Sequence, residues 1–376
     1  MKNFTIGLIL GILVVFGYQQ LNYNPSVNSS EAIVIGGIAP LTGDAASLGI
    51  QTQEISNMRV EEVNKEGGIN GRNLEIIWED GKCTPGEASR AAQKLIGIDK
   101  VSVILGGVCS GETLGATPIT ERNKVILFSP ISTSPEVTHA GDFVFRSAPS
   151  DSTQGMVLAD YANKHFKRVG LISENTDYAL GVANVFEEIF EGEIVREDYL
   201  STESDFKTRI TKLKNEKLDA LIINPQSPPK YEIILKQLQE QNWKTPFLVN
   251  EVAAGNAESS IKFKDFLVKN KTVGANFIVP ESDELNDVLQ KYEAKHGKKV
   301  EYLNYTGTSY DGINILIHAL SQVENISDTE SIRDELYAIK DFPGLLGKVS
   351  MDENGDVNIT YTLFEFNGEE FIPISE

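Results

Sequence analysis

The stretch VSVILGGVCSGETLGATPITERNKVILFSPISTSP, residues 101–135, restricts the fold more than any other part of the chain. Its two apolar, β-branched runs, 101–105 and 125–128, are short enough to be strands buried on both faces. Residues 112–123 between them leave room for a helix of about three turns. Together they make one β-loop-α-β unit, with parallel strands and both loops leaving the same sheet edge. Those loops are small and hydroxyl-rich: Gly106-Gly107-Val108-Cys109-Ser110-Gly111 and Ser129-Pro130-Ile131-Ser132-Thr133-Ser134. Open α/β sheets bind ligands at this carboxyl edge. Hydroxyls and backbone N–H groups at a helix N-terminus suit an anion such as a carboxylate.

The same alternation runs through most of the chain. A strand over 32–38 ends in Ala39-Pro40-Leu41-Thr42-Gly43-Asp44, and a helix over 48–64 stops at the glycine-rich turn Gly67-Gly68-Ile69-Asn70-Gly71-Arg72. A strand over 74–80 and a helix over 84–96, with Pro85 at its start, lead into the central unit. Residues 143–148 lead away from it. A second series follows, with helices over 155–165, 179–190, 205–214 and 231–241. Its strands are over 169–173, 194–199, 220–223 and 246–249; the first runs into the polar loop Glu174-Asn175-Thr176-Asp177-Tyr178 and the last ends at Asn250-Glu251. Helices over 284–295, 308–320 and 331–338 precede a strand-like tail in which Asn354-Gly355 signals a hairpin turn. Alternation this dense implies two doubly wound α/β lobes. The expected division is residues 31–149 for lobe 1 and 150–275 for lobe 2. Residues 276–343 return to lobe 1, and 344–376 are C-terminal strands mainly of lobe 2.

One lysine precedes an apolar run over 4–18, whose length of roughly 15 residues suits a signal peptide and is short for a spanning helix. No Ala-x-Ala site and no cysteine follow closely. Residues 1–18 therefore read as a cleaved signal or an uncleaved anchor, and 19–30 as a polar tether. Either way the remainder lies outside the cytoplasmic membrane, in the periplasm or at the cell surface. A net charge of −20 argues against nucleic acid or an anionic membrane surface as the main partner. The two cysteines, Cys83 and Cys109, suggest one disulfide in an exported chain; two free buried thiols are the alternative.

Gly107-Val108-Cys109-Ser110-Gly111 fits a cysteine version of the nucleophile elbow and follows a strand. A hydrolase would need that thiol free and a histidine base. None of His139, His165, His296 and His318 falls at an expected strand end. No phosphate-binding glycine motif and no zinc spacing occurs, and no cofactor is expected. A binding cleft accounts for more residues: Ser110 and Thr133 offer hydroxyls at adjacent strand ends of one lobe, and Glu251 a carboxylate at a strand end of the other. That combination matches a zwitterion. Taken singly, the hydroxyls also serve as helix caps or turn residues.

The chain resembles the periplasmic branched-chain amino acid and amide-binding proteins of ABC transporters. The carrying segments are IAPLTG (38–43), EGGINGR (66–72), Cys83 with Cys109, and FSPISTSPEVT (128–138). Tyr178-Ala179-Leu180-Gly181, Asn250-Glu251 and Tyr310-Asp311-Gly312 add to them. The resemblance implies a type I periplasmic-binding fold, two lobes joined by three crossovers with the ligand closed between them. It implies that Ser110 and Thr133 hold a ligand carboxylate, helped by backbone around Ile131 and Ser132. It further implies that Glu251 holds the α-ammonium, that Tyr178 is a cleft tyrosine, and that Cys83 and Cys109 are bonded. Leu48 and Gln226, or Ser227, fall where the family often places aromatics. The expected function is an extracytoplasmic, non-enzymatic and monomeric binding protein that delivers an aliphatic or small polar amino acid to an ABC permease. The alternatives are an amide or urea sensor on the same fold and a hydrolase using Cys109. A neutral amide would leave the Glu251 charge unpaired in a closed cleft.

Overall fold

The computed structural model describes residues 31–374. The signal or anchor and the tether expected over 1–30 lie outside the described residues. In the first lobe β1 (Ile33–Ala39), α1 (Ala46–Lys65), β2 (Leu74–Asp80) and α2 (Pro85–Gly97) precede the central unit. That unit is β3 (Val103–Gly106), α3 (Ser110–Asn123) and β4 (Ile126–Ser129), and β5 (Val144–Arg146) follows. The strands run in the order β2-β1-β3-β4-β5, and every pair is parallel. The order reverses beside β1, so the loops after β1 and β3 part there and open a crevice at the carboxyl edge. Every residue of β3 and β4 is buried, as strands covered on both faces require.

The second lobe begins with α4 (Asp151–His165), β6 (Arg168–Glu174), α5 (Asp177–Ile189), β7 (Glu193–Tyr199) and α6 (Lys207–Asn215). It continues through β8 (Ala220–Asn224), α7 (Pro228–Glu240), β9 (Phe247–Val249), three short helices α8 (Glu251–Ala254), α9 (Ala257–Lys262) and α10 (Lys264–Lys269), and β10 (Val273–Asn276). The chain then crosses to α11 (Asp283–His296), α12 (Leu303–Gln322) and α13 (Thr329–Tyr337), followed by the ribbon β11 (Phe342–Gly344) and β12 (Gly347–Val349). Ile313, Leu316 and Ala319 of α12 pack with Ile33, Ile35 and Phe128 in the core of the first lobe. The last strands, β13 (Thr362–Phe366) and β14 (Phe371–Pro373), join the second sheet, whose order is β14-β13-β10-β9-β8-β6-β7. β13 is antiparallel to β10 and to β14.

Two helices begin earlier than their apolar spacing indicates. α4 starts at Asp151 and not near 155, and α12 at Leu303 and not near 308. Their opening turns carry buried polar residues, among them Asp151, Gln154, Asn304 and Thr306, which break the apolar period. The Asn354-Gly355 turn forms, with Gly355 at φ +80°, but its arms make a single bridge between Met351 and Val357. This turn belongs to a crossover, and its Gly355 carbonyl accepts the Arg146 N–H at 3.0 Å.

The lobes meet face to face. A Cβ on Gly111, at the start of α3, would lie 2.7 Å from Asp177 Oδ2 on α5. A Cβ on Gly181, also on α5, would lie 2.7 Å from Pro135 Cδ. One apolar cluster takes Ala39, Val108 and Ile131 from the first lobe and Tyr178, Val182 and Val252 from the second.

Candidate functional site

The first wall is the pair of loops from the central unit. Ser110 opens α3, is buried, and its Oγ accepts the Ser134 N–H at 3.2 Å, tying the loop after β4 to the helix start. Ser129 Oγ accepts the Ser132 N–H at 2.9 Å. The Ser132 hydroxyl turns into the lobe, 3.0 Å from the Gly107 carbonyl and 2.6 Å from Thr113 Oγ1, so both its hydroxyl and its N–H are engaged within the first lobe. Thr133 points the other way. Its Oγ1 lies 2.7 Å from Asp151 Oδ2 and 3.3 Å from Glu251 Oε1, across the cleft.

The second wall is built around two carboxylates, both fully buried. Glu251 opens α8 behind the Asn250 cap, whose side chain accepts the Ala253 N–H at 3.2 Å. Gln154 links the two acids: its amide donates to Asp151 Oδ1, and its oxygen accepts the Glu251 N–H at 2.9 Å. The Tyr361 hydroxyl touches Glu251 Oε2 and lies 3.3 Å from Asp151 Oδ1. Burial pushes the Glu251 carboxyl up to about 7, against hydrogen bonds from Tyr361, Tyr305 and Thr133 that favour its ionised form. Asp151 is raised well above the usual carboxylate range, first by burial and then by the charge of Glu251. Among the described residues no lysine, arginine or histidine bonds to either acid. Arg146 acts on Asp151 only through its field, since its guanidinium is bonded to Asp356, the Ser134 carbonyl and Thr138. Tyr178 is buried close by, and its hydroxyl has no hydrogen-bond partner among the described residues.

Two lobes, a reversal of strand order at a hydroxyl-lined edge, and two buried acids opposite without a bonded cation among the described residues mark the cleft between the lobes as the candidate ligand site. The model of a family described as periplasmic binding protein matches residues 32–370. The chain belongs to that family. It is similar to the Leu/Ile/Val-binding protein BraC3 of Rhizobium johnstonii, 26% identical over 350 residues, covering 90% of this chain and 93% of the relative. Among solved structures it is similar to the branched-chain amino acid transporter substrate binding protein LivJ of Streptococcus pneumoniae, in complex with isoleucine. There the TM-score is 0.77 at 26% identity, covering 91% of this chain and 100% of the other. The leucine binding protein LivK of Thermotoga maritima gives 0.79 at 25%, covering 91% and 98%. The fold is the type I periplasmic-binding fold that the sequence resemblance implies.

In this periplasmic binding protein, Leu48, Ile131 and Tyr178 pack into one apolar cluster with Tyr302, Tyr305 and Tyr361. Thr133, Glu251 and Tyr178 are thus brought together, and Ser110 is tied to the same loop. Gln226 stands at the cleft margin. Its N–H donates to Glu174 Oε2 at 2.8 Å, and it lines a crevice of about 170 Å³ with Asp44, Lys82 and Thr84. The hydroxyl of its neighbour Ser227 is buried without a partner among the described residues. Cys83 and Cys109 form a disulfide, with their Cα atoms 5.2 Å apart. Cys109 therefore carries no thiol, which removes the nucleophile a cysteine hydrolase needs. Asp151, Gln154, Tyr305 and Tyr361 were not legible as site residues. Their only sequence signal is polarity or aromaticity at the starts of elements whose partners lie far away in the chain.

Proposed function

We propose that this chain is the extracytoplasmic solute-binding protein of an ABC transporter and takes an aliphatic amino acid between its lobes. The observation that carries this reading is the pair Asp151 and Glu251, buried together without a side-chain cation. Removing two carboxylates from water costs several kcal/mol each unless a cation compensates. A ligand ammonium supplies that cation and up to three N–H donors. The Ser110 hydroxyl and the N–H groups of Thr133 and of the α3 start then take the carboxylate. Leu48, Ile131 and Tyr178 lie in the apolar cluster against which a hydrocarbon side chain would rest. The names of BraC3, LivJ and LivK, which bind leucine, isoleucine or valine, support that choice of side chain.

A neutral amide or urea would leave both acids without a counter-ion, so the sensor alternative is the weaker reading. Nothing in the site supplies an activated nucleophile, and a binding role without chemistry fits it best. We assign a membrane permease as partner and a monomeric state to the binding protein itself. Among the described residues no helix is long and apolar enough to cross a membrane. A thermal-shift screen of the full chain against amino acids, acetamide, urea and benzoate tests the proposal. Leucine, isoleucine or valine should raise the melting temperature most. A shift with urea or acetamide and none with any α-amino acid would overturn it.

A further inference from the structure

Resting on the amino-acid reading above, we infer that Asp151 is a second carboxylate of the ammonium site and that Asp151 and Glu251 hold one proton between them until the ligand ammonium displaces it. The site then exchanges a proton for its amino acid. Thr133 and Tyr361 each own a single hydroxyl hydrogen. Yet each hydroxyl reaches both acids: Thr133 lies 2.7 Å from Asp151 and 3.3 Å from Glu251, while Tyr361 touches Glu251 and lies 3.3 Å from Asp151. Two hydrogens serve the two short contacts, and the two at 3.3 Å leave Glu251 Oε1 facing Thr133 and Asp151 Oδ1 facing Tyr361 with no hydrogen of their own. A hydrogen on Glu251 Oε1 completes a continuous chain: Glu251 donates to Thr133, Thr133 donates to Asp151, and Tyr361 donates to Glu251 Oε2. The longer contact of Tyr361 with Asp151 Oδ1 is the one left over, and that oxygen already accepts from Gln154.

The surroundings favour the shared proton. The groups facing the pair are the phenols of Tyr178, Tyr305 and Tyr361, all raised above their ordinary range first by burial and then by the charge of Glu251, and therefore neutral. The nearest cation, Arg146, is occupied by Asp356. Two like charges bridged by a single oxygen in a buried site raise each other's affinity for a proton, and they titrate as a pair. Both acids belong to the second lobe, through α4 and α8, where Gln154 and Tyr361 each reach both, so the pair stays together when the lobes separate and only the Thr133–Glu251 contact belongs to the closed form. When the ammonium enters, its N–H groups replace the carboxyl hydrogen. The O–H bond breaks, the proton leaves to solvent, and both acids face one full positive charge.

The sign of the pH effect follows. Free protein holds the extra proton at low pH and the complex does not. Affinity therefore falls by up to about tenfold per pH unit below the titration of the pair, and it levels off above it. Titration calorimetry of the full chain with leucine, isoleucine and valine at pH 6.5, in phosphate and in imidazole buffer, counts the protons released. We expect about half to one proton per leucine in the wild type, and clearly less in Asp151→Asn, where burial still raises Glu251 but the neighbouring charge is gone. Binding without proton release overturns the shared proton and leaves the amino-acid reading intact. Absence of binding by all three amino acids overturns both. Undiminished release in Asp151→Asn assigns the proton to a single acid, either Glu251 by its burial alone or another such as Glu112 or Asp311, and also overturns the inference. Should Asp151→Asn fail to fold, Tyr361→Phe removes a hydrogen bond that favours ionised Glu251. Proton release should then persist to higher pH than in the wild type, and an unchanged pH profile counts against the inference.

Discussion

Removing a charge from a buried ion pair costs more than removing one hydroxyl from a set of several donors. Breaking such a pair costs roughly 3–5 kcal/mol when the remaining charge is stranded. Here Asp151 stays beside the ammonium when Glu251 is neutralised, so the loss should fall at or below the lower end of that range. Glu251→Gln is expected to weaken leucine binding by about a hundredfold, some 2.8 kcal/mol at 1.4 kcal/mol per tenfold. Ser110→Ala should cost less than about tenfold, because Thr133 and the backbone donors remain. Calorimetry on both variants decides the ranking, and a Glu251→Gln loss smaller than the Ser110→Ala loss removes Glu251 from the site. Glu251 is legible in the sequence because a lone carboxylate directly after a strand stands where such folds bind ligands. Asp151 is not legible. An acid at the start of a helix has a local explanation in the helix dipole. Only the fold sets it against a residue one hundred positions later. Tyr361 reads as the prelude to a strand, and its contact with Glu251 spans 110 residues.

At the scale of elements, the β3–α3–β4 unit emerges from its sequence almost intact, since short apolar runs bounded by glycines admit few other readings. The support beneath the unit was harder to see. Glu112 turns back from the first turn of α3 and accepts the N–H groups of Val108 at 3.0 Å, Cys109 at 3.1 Å and Cys83 at 2.9 Å. It thereby joins both sides of the disulfide to the helix that carries Ser110. Burial pushes its carboxyl up to about 7 against those three hydrogen bonds. Glu112→Gln keeps one acceptor oxygen and turns an amide N–H₂ toward backbone donors, leaving at least one of them unsatisfied at a cost of about 1–3 kcal/mol. Cys83→Ser with Cys109→Ser removes a cross-link spanning 26 residues and should cost roughly 3–4 kcal/mol in the chain-entropy model. Urea denaturation of each variant measures both losses. A double serine variant as stable as the wild type would show that Glu112 alone holds the unit. At the first turns of α4, α8 and α12 the buried residues are polar, among them Asp151, Gln154, Glu251 and Asn304. Apolar periodicity is blind to such turns.

At the scale of the molecule, the sequence implies two lobes, whereas their contact surface is a property of the folded pair alone. Closure brings rigid elements together at few points. Lys230 on α7 approaches Asp44 of the other lobe at 3.6 Å, Thr133 meets Glu251, and α5 lies against the loop after β4. Gly181 sits at that last contact, where a Cβ would be 2.7 Å from Pro135 Cδ and 3.2 Å from Ser134 Oγ. The proline ring cannot rotate aside, so a side chain there must push the lobes apart. Gly181→Val therefore adds bulk at the moving interface. Within the helix the exchange is mildly favourable, since glycine costs about 1 kcal/mol relative to alanine and valine somewhat less. The variant should fold with near-normal stability, bind leucine at least tenfold more weakly, and keep its lobes apart. Small-angle scattering with and without saturating leucine measures this directly. Wild-type protein should contract on binding, and Gly181→Val should contract less or not at all. Equal contraction and equal affinity in the two proteins would mean that the lobes do not close against this face when the ligand is held.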